Sequence, residues 1–137
     1  MFLFSADLSK QKVSFRAKSV ADTTPQNEQV IVFTEVLLNV GSGYDNTTGK
    51  FRAPADGTYL FTCQLCQHAS DDIHFGMVMD DTVIHQGYFD SKFVICTNFN
   101  VITEMRQSQM VWMKMLNTDK IYQNLWRLNV FSGVLIH

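Results

Sequence analysis

The side chains able to do chemistry in this 137-residue chain are few, and many stand in pairs. Cys63 and Cys66 form a Cys-x-x-Cys, with Cys96 as the third thiol. A redox pair at that spacing normally opens a helix after a strand. Here both cysteines lie in Tyr59-Leu60-Phe61-Thr62-Cys63-Gln64-Leu65-Cys66, which reads as a strand. Three residues apart on a strand, they point to opposite faces. A zinc site would need a second ligand pair at matching spacing, and none exists. The favoured reading is small buried thiols. A single disulfide, Cys66 to Cys96, is the alternative, and an odd count leaves one thiol over. His68, His74, His85 and His137 are scattered without metal spacing and read as surface or interface residues. No His-Glu-x-x-His, Gly-x-Ser-x-Gly or complete Gly-x-Gly-x-x-Gly occurs. Gly43 to Lys50 misses the phosphate-loop spacing by one residue and is followed by Phe51, where Ser or Thr is required. The chain therefore reads as a non-enzyme with no required cofactor.

Binding chemistry is better represented. Two acidic doublets, Asp71-Asp72 and Asp80-Asp81, flank an alternating apolar segment. Loop carboxylates are what a hard cation needs, although solvated charge is the plainer reading. The segment between the doublets is too long for them to share one ion. Glycan contact uses polar planar groups beside an aromatic platform. Residues 67–72, with His68 and Asp71, offer that mixture, and so do residues 117–127. Tyr122 or Trp126 would stack on a sugar face, and Asp119, Asn124 and Arg127 would bond hydroxyls or a carboxylate. The competing reading places these aromatics in the core or in an intersubunit contact. Asn46-Thr47-Thr48 is a glycosylation sequon, usable only in a secreted chain.

Composition narrows the class. Eleven Lys and Arg against thirteen Asp and Glu give a net charge of −2. That argues against nucleic acid and against a polybasic membrane surface. Charged residues make up 18% and hydrophobic ones 46%. The charged share is low against the usual ~25%, so part of the surface is expected to be hidden in an oligomer. The length suits one domain, residues 1–137, with 1–12 as an optional N-terminal extension. No run approaches the ~20 apolar residues of a membrane span. Met1-Phe2-Leu3-Phe4-Ser5-Ala6 resembles the tail of a secretory signal but is far shorter than its apolar region.

The elements that must position these groups are strands. Val13-Ser14-Phe15, Tyr59 to Leu65 and Ile73 to Met79 alternate apolar with other residues. Val30 to Phe33, Val36 to Leu38, Phe93 to Thr103 and Leu128 to Ile136 are apolar, β-branched or aromatic runs. The last is expected to be a buried terminal strand. Clusters at 41–49, Asp56-Gly57 and Gly87 mark turns. Residues 104–116 favour helix by composition, yet Val111, Met113 and Met115 alternate as a strand would. Many short strands with loops between them imply a sandwich or jelly roll, with binding loops at its ends.

One ordered aromatic pattern carries more. Phe33, Asn39, Tyr44, Phe51, Gly57, Tyr59 and Phe61 follow the spaced signature of the globular C1q domain, with Cys63 in place of a final aromatic. Thr48-Gly49-Lys50-Phe51, Met110-Val111-Trp112 and Phe131-Ser132-Gly133 are similar to further family segments, while Ser108-Gln109 replaces the usual Gly-Asp. The chain thus resembles the C1q and tumour necrosis factor superfamily over residues 13–137. The resemblance implies an all-β, ten-strand jelly roll that forms a homotrimer, and it turns residues 104–116 from helix to strand. It implies calcium in some members near Asp71 and Asp72. It implies a stalkless, secreted, lectin-like recognition protein for carbohydrate or microbial surface patterns. The alternatives are a cytokine-like signalling ligand with a protein receptor, or a matrix or adhesion module.

Overall fold

The computed structural model describes residues 11–137. The short run at residues 1–6 lies outside the described residues, as does most of the expected N-terminal extension. The described chain is all β. Its ten strands are β1 (Ser14–Val20), β2 (Phe33–Val40), β3 (Tyr44–Asp45), β4 (Lys50–Arg52), β5 (Gly57–Gln67), β6 (Asp71–Met79), β7 (Thr82–Ser91), β8 (Ile95–Met105), β9 (Met110–Met115) and β10 (Val130–Leu135). They form two five-stranded sheets, β2-β1-β10-β5-β8 and β3-β4-β9-β6-β7. Neighbours within each sheet run antiparallel. The jelly roll implied by the aromatic signature is the fold.

The core lies where the inner faces of the two sheets meet. Strand alternation sends Tyr59, Phe61, Cys63 and Leu65 of β5 inward, each at most 2% exposed. Phe15 on β1 sits at the centre. Its ring lies 4.8 Å from Phe51, 4.9 Å from Phe131 and 5.1 Å from Tyr44. Phe33, Tyr44, Phe51, Tyr59, Phe61 and Phe131 are all buried, so the signature aromatics are the wedge between the sheets. Gly133 makes this packing feasible. A Cβ there would meet the Phe15 ring at 2.5 Å and the Phe61 ring at 2.8 Å. At Gly57 a Cβ would meet the His137 carbonyl oxygen at 2.8 Å, where the chain end closes against β5.

Asn39 and Tyr44 fix the bend between β2 and β3. The Asn39 amide donates to the Tyr44 carbonyl at 2.9 Å and accepts the Tyr44 N–H at 3.1 Å. The Tyr44 hydroxyl donates to the Phe33 carbonyl at 2.7 Å and accepts the Phe33 N–H at 3.0 Å.

Within residues 104–116, Met110–Met115 form β9, as the resemblance implies and against the local composition, with Val111, Met113 and Met115 each fully buried in the core. Several other expectations are corrected. The terminal strand is buried on one face only: Val134 is 40% exposed on the other. Val36 to Leu38 lie on the edge strand β2 and stay exposed. Phe93 is not in a strand but in the β7–β8 turn, 74% exposed. Ser108, in the position of the family's glycine, takes a left-handed φ of 77° and keeps the turn before β9.

The cysteines divide as the opposite-face argument requires, but not all stay thiols. Cys63 is free in the core, and burial pushes its thiol well above the ordinary range, so it is inert. Cys66 faces the other way and forms a disulfide with Cys96, its partner across the β5–β8 ladder. The thiol reading fails for these two because register sets them side by side.

Burial pushes the Tyr44 phenol up to about 12. Its unfolded value is near ~10, so above that pH the folded state holds a proton that the unfolded state has lost. This contribution to stability is complete below pH ~10 and declines as pH rises towards ~12. Urea unfolding midpoints across that range should fall, and Tyr44→Phe should decline less steeply than wild type. Equal slopes would separate Tyr44 from the effect.

Candidate functional site

One end of the sandwich gathers the β5–β6 turn, the β7–β8 turn and the long connection 116–129 between β9 and β10. That connection has little regular structure, so its backbone polar groups need other partners. Asn129, fully buried, supplies one and ties the connection to β5: its side chain donates to the Tyr122 carbonyl and accepts the Cys66 N–H, each at 2.8 Å. The Tyr122 N–H donates to the Cys66 carbonyl at 2.9 Å and the Ile121 N–H to the Thr23 carbonyl at 2.8 Å. Gln123 Oε1 accepts the Val20 N–H at 2.8 Å, and Gln64 Nε2 donates to the Leu128 carbonyl at 2.7 Å. The connection is therefore fastened to β1 and β5 on either side of its tip.

The tip is a turn built on Asn124. Its Oδ1 accepts the Trp126 N–H at 2.9 Å and the Arg127 N–H at 2.8 Å, and the Asn124 N–H reaches the Arg127 carbonyl at 3.3 Å. The turn holds Leu125 and Trp126 out in water, 78% and 83% exposed. The two side chains form a small exposed apolar patch on an ordered turn.

By sequence Tyr122 and Trp126 are alternative platforms of one kind, and the structure separates them. Trp126 is in neither the core nor the aromatic cluster. Tyr122 is half-buried and meets the His68 ring edge-on, 5.0 Å between centroids, with its hydroxyl accepting from Asn124 Nδ2 at 3.2 Å. It buttresses the turn. Arg127 is half-buried beside Trp126, and among the described residues its side chain has no hydrogen-bond partner in the chain.

Asp119 belongs to a different group. It is 6% exposed, and its Oδ2 accepts the His74 N–H at 2.8 Å and lies 3.1 Å from His74 Nδ1. Asp72 joins them: donor atoms of Asp72, His74 and Asp119 all lie within 4.8 Å of one another. Loss of hydration, followed by the neighbouring Asp119 carboxylate, raises the Asp72 carboxyl above its ordinary range. His74 packs against the Tyr88 ring at 4.6 Å, and the Tyr88 hydroxyl donates to Asp90 at 3.0 Å.

Asp71 and Asp72, paired in the sequence, diverge in the fold. Consecutive residues on β6, they leave the strand on opposite faces, and an Asp71 oxygen is spent on the Asp72 N–H at 3.0 Å. Asp72 instead joins His74, two residues on and on the same face. Spacing alone groups His74 with the scattered histidines, although Asp-x-His on an alternating strand is a readable signal. Its partner Asp119 leaves no such signal, being 45 residues away. Asp80 and Asp81 form the β6–β7 turn at the far end, with φ of 47° and 74°.

A family model described as "C1q domain" matches residues 14–136. The chain belongs to the C1q domain family. It is 27% identical over 135 residues to Caprin-2 of Danio rerio, an alignment covering 95% of this chain and 15% of that protein. It is 25% identical over 128 residues to Complement C1q tumor necrosis factor-related protein 3 of Mus musculus, covering 91% and 51%. It is 25% identical over 139 aligned positions to Complement C1q tumor necrosis factor-related protein 2 of Mus musculus, covering 90% and 45%. The chain thus spans about half the length of the latter two curated relatives and less of the first. Among solved structures, the globular domain of zebrafish complement 1qA superposes with a TM-score of 0.73 at 20% identity, covering 93% and 98%. Murine APRIL superposes at 0.72 and 10%, covering 92% and 100%. These two likenesses show the fold.

Asn124→Ala should loosen the tip without unfolding the sandwich. Amide hydrogen exchange at Trp126 and Arg127 should speed up by about tenfold or more while protection in β5 and β10 is unchanged. Unchanged exchange at the tip would mean that Asn124 does not hold it.

Proposed function

We propose that this C1q-domain protein is a secreted, homotrimeric, lectin-like recognition protein that binds carbohydrate on microbial surfaces through the Asn124 turn. The family typically comprises secreted recognition or signalling proteins. The observation that carries the reading is Trp126, an aromatic face 83% exposed on a hydrogen-bonded turn. An apolar ring of that kind covers the C–H face of a pyranose, while the neighbouring Arg127, whose side chain has no hydrogen-bond partner among the described residues, would meet hydroxyls or a carboxylate. Because the turn is ordered beforehand, little loop entropy is lost on binding. The Cys66–Cys96 disulfide suits an oxidising compartment and so supports secretion. Among the described residues no helix is long and apolar enough to cross a membrane.

Single-site sugar binding is weak, and three linked copies raise avidity through effective concentration. The outward face of the first sheet supports such an assembly. Register aligns Val40, Ser14, Val134, Leu60 and Ile102 in one row across all five strands. Ile102 is 66% exposed and Val40 41% in the isolated chain. Two further copies of the same chain, in a closed cyclic arrangement, would cover this row.

On a microbial glycan array, wild type should bind and Trp126→Ala should lose at least about tenfold in signal, with an unchanged melting temperature. Binding to a protein receptor with no glycan retained would favour a signalling role instead. In light scattering, wild type should weigh three times the 15.7 kDa chain, and Leu60→Glu with Ile102→Glu should weigh one. A wild-type monomer at micromolar concentration would end the avidity argument.

A further inference from the structure

We propose that Asp72, His74 and Asp119 form a binding site for a divalent ion of the zinc class, with three protein donors and one open position. The site lies on β6 and the 116–129 connection and involves neither Trp126 nor the outward row of the first sheet, so it stands apart from the glycan reading.

The donor set selects the metal. Imidazole nitrogen with two carboxylates suits a borderline ion such as zinc, whereas calcium takes six to eight oxygens. Geometry agrees. A tetrahedral ion with bonds of about 2.1 Å holds its donors about 3.4 Å apart. His74 Nδ1 and Asp119 Oδ2 already stand 3.1 Å apart, and all three donors lie within 4.8 Å. Asp72 and His74 are only half-buried, so small rotations close the remaining gap.

Charge is the independent argument. Asp119 is a carboxylate more than nine-tenths buried. Buried carboxylates are paired with a cation or bound to a metal. Among the described residues its one ion-pair partner is the His74 imidazole, which carries charge only when protonated, and the second group beside it is another carboxylate. An ion would neutralise both acids. The orienting shell is already present: the His74 N–H holds Asp119 Oδ2 at 2.8 Å, Asn117 Nδ2 approaches Oδ1 at 3.4 Å, and Tyr88 packs on the imidazole. When the ion takes the Nδ1 lone pair, the imidazole proton resides on Nε2.

The test is calorimetric titration of the chelator-treated full chain with zinc chloride, repeated with calcium chloride. Zinc should bind at one ion per chain, and cobalt should give the intense visible bands of tetrahedral coordination. His74→Gln and Asp119→Asn should each weaken zinc at least about tenfold, with Asp71→Asn unchanged. Circular dichroism checks the fold. If Asp119→Asn unfolds, half-exposed His74→Gln and the wild-type cobalt spectrum still decide. No zinc heat in wild type, full zinc affinity in folded His74→Gln, or displacement of zinc by equimolar calcium would each overturn the proposal.

Discussion

The Phe15 ring must fit between the sheets against Phe51, Phe131 and Tyr44, and it can do so only with glycine at position 133. The neighbouring aromatics are arranged around that contact. Tyr44 reaches it only because Asn39 pins its backbone and its hydroxyl fastens to Phe33. Phe61 and Phe131 reach it because β5 and β10 pair in a register that sets Phe61 opposite Gly133. Large aromatic surfaces supply most of the burial in a sandwich of this size, so moving one ring disturbs several strands together.

A core this self-contained leaves the ends free to specialise. At one end, short turns such as Asp80-Asp81 simply reverse the chain. At the other, residues 116–129 form a long irregular stretch whose backbone finds partners in Asn129, Gln64 and the carbonyls of Thr23 and Cys66, while Gln123 ties it to the β1 backbone. The same fastening holds Trp126 in water and brings Asp119 against β6. Two distinct chemistries, an aromatic platform and a carboxylate–imidazole group, thus come from one connection anchored at both sides of its tip.

The disulfide illustrates how register converts sequence into covalent structure. Cys63 and Cys66 look equivalent as a pair, but strand alternation sends one into the core and the other outward. Only the pairing of β5 with β8 puts Cys96 beside the outward one. An inert core thiol and a crosslink under the 116–129 connection are the result.

Local pattern was legible in the order of residues. Alternation located β1, β5 and β6, and the spaced aromatics from Phe33 to Phe61 pointed to the fold and its family, because burying one face of a strand imposes a period of two. Composition misjudged residues 104–116, since intrinsic propensity is a weaker force than burial of Val111, Met113 and Met115. Which distant residues meet emerged only from the folded chain. Folding set Tyr122 apart from Trp126, brought Asp119 against His74, and turned Asp71 and Asp72 to opposite faces. These outcomes follow from strand register and from where a long connection is tied down. Both are set by contacts far apart in the chain, which leave no mark in the spacing of neighbours.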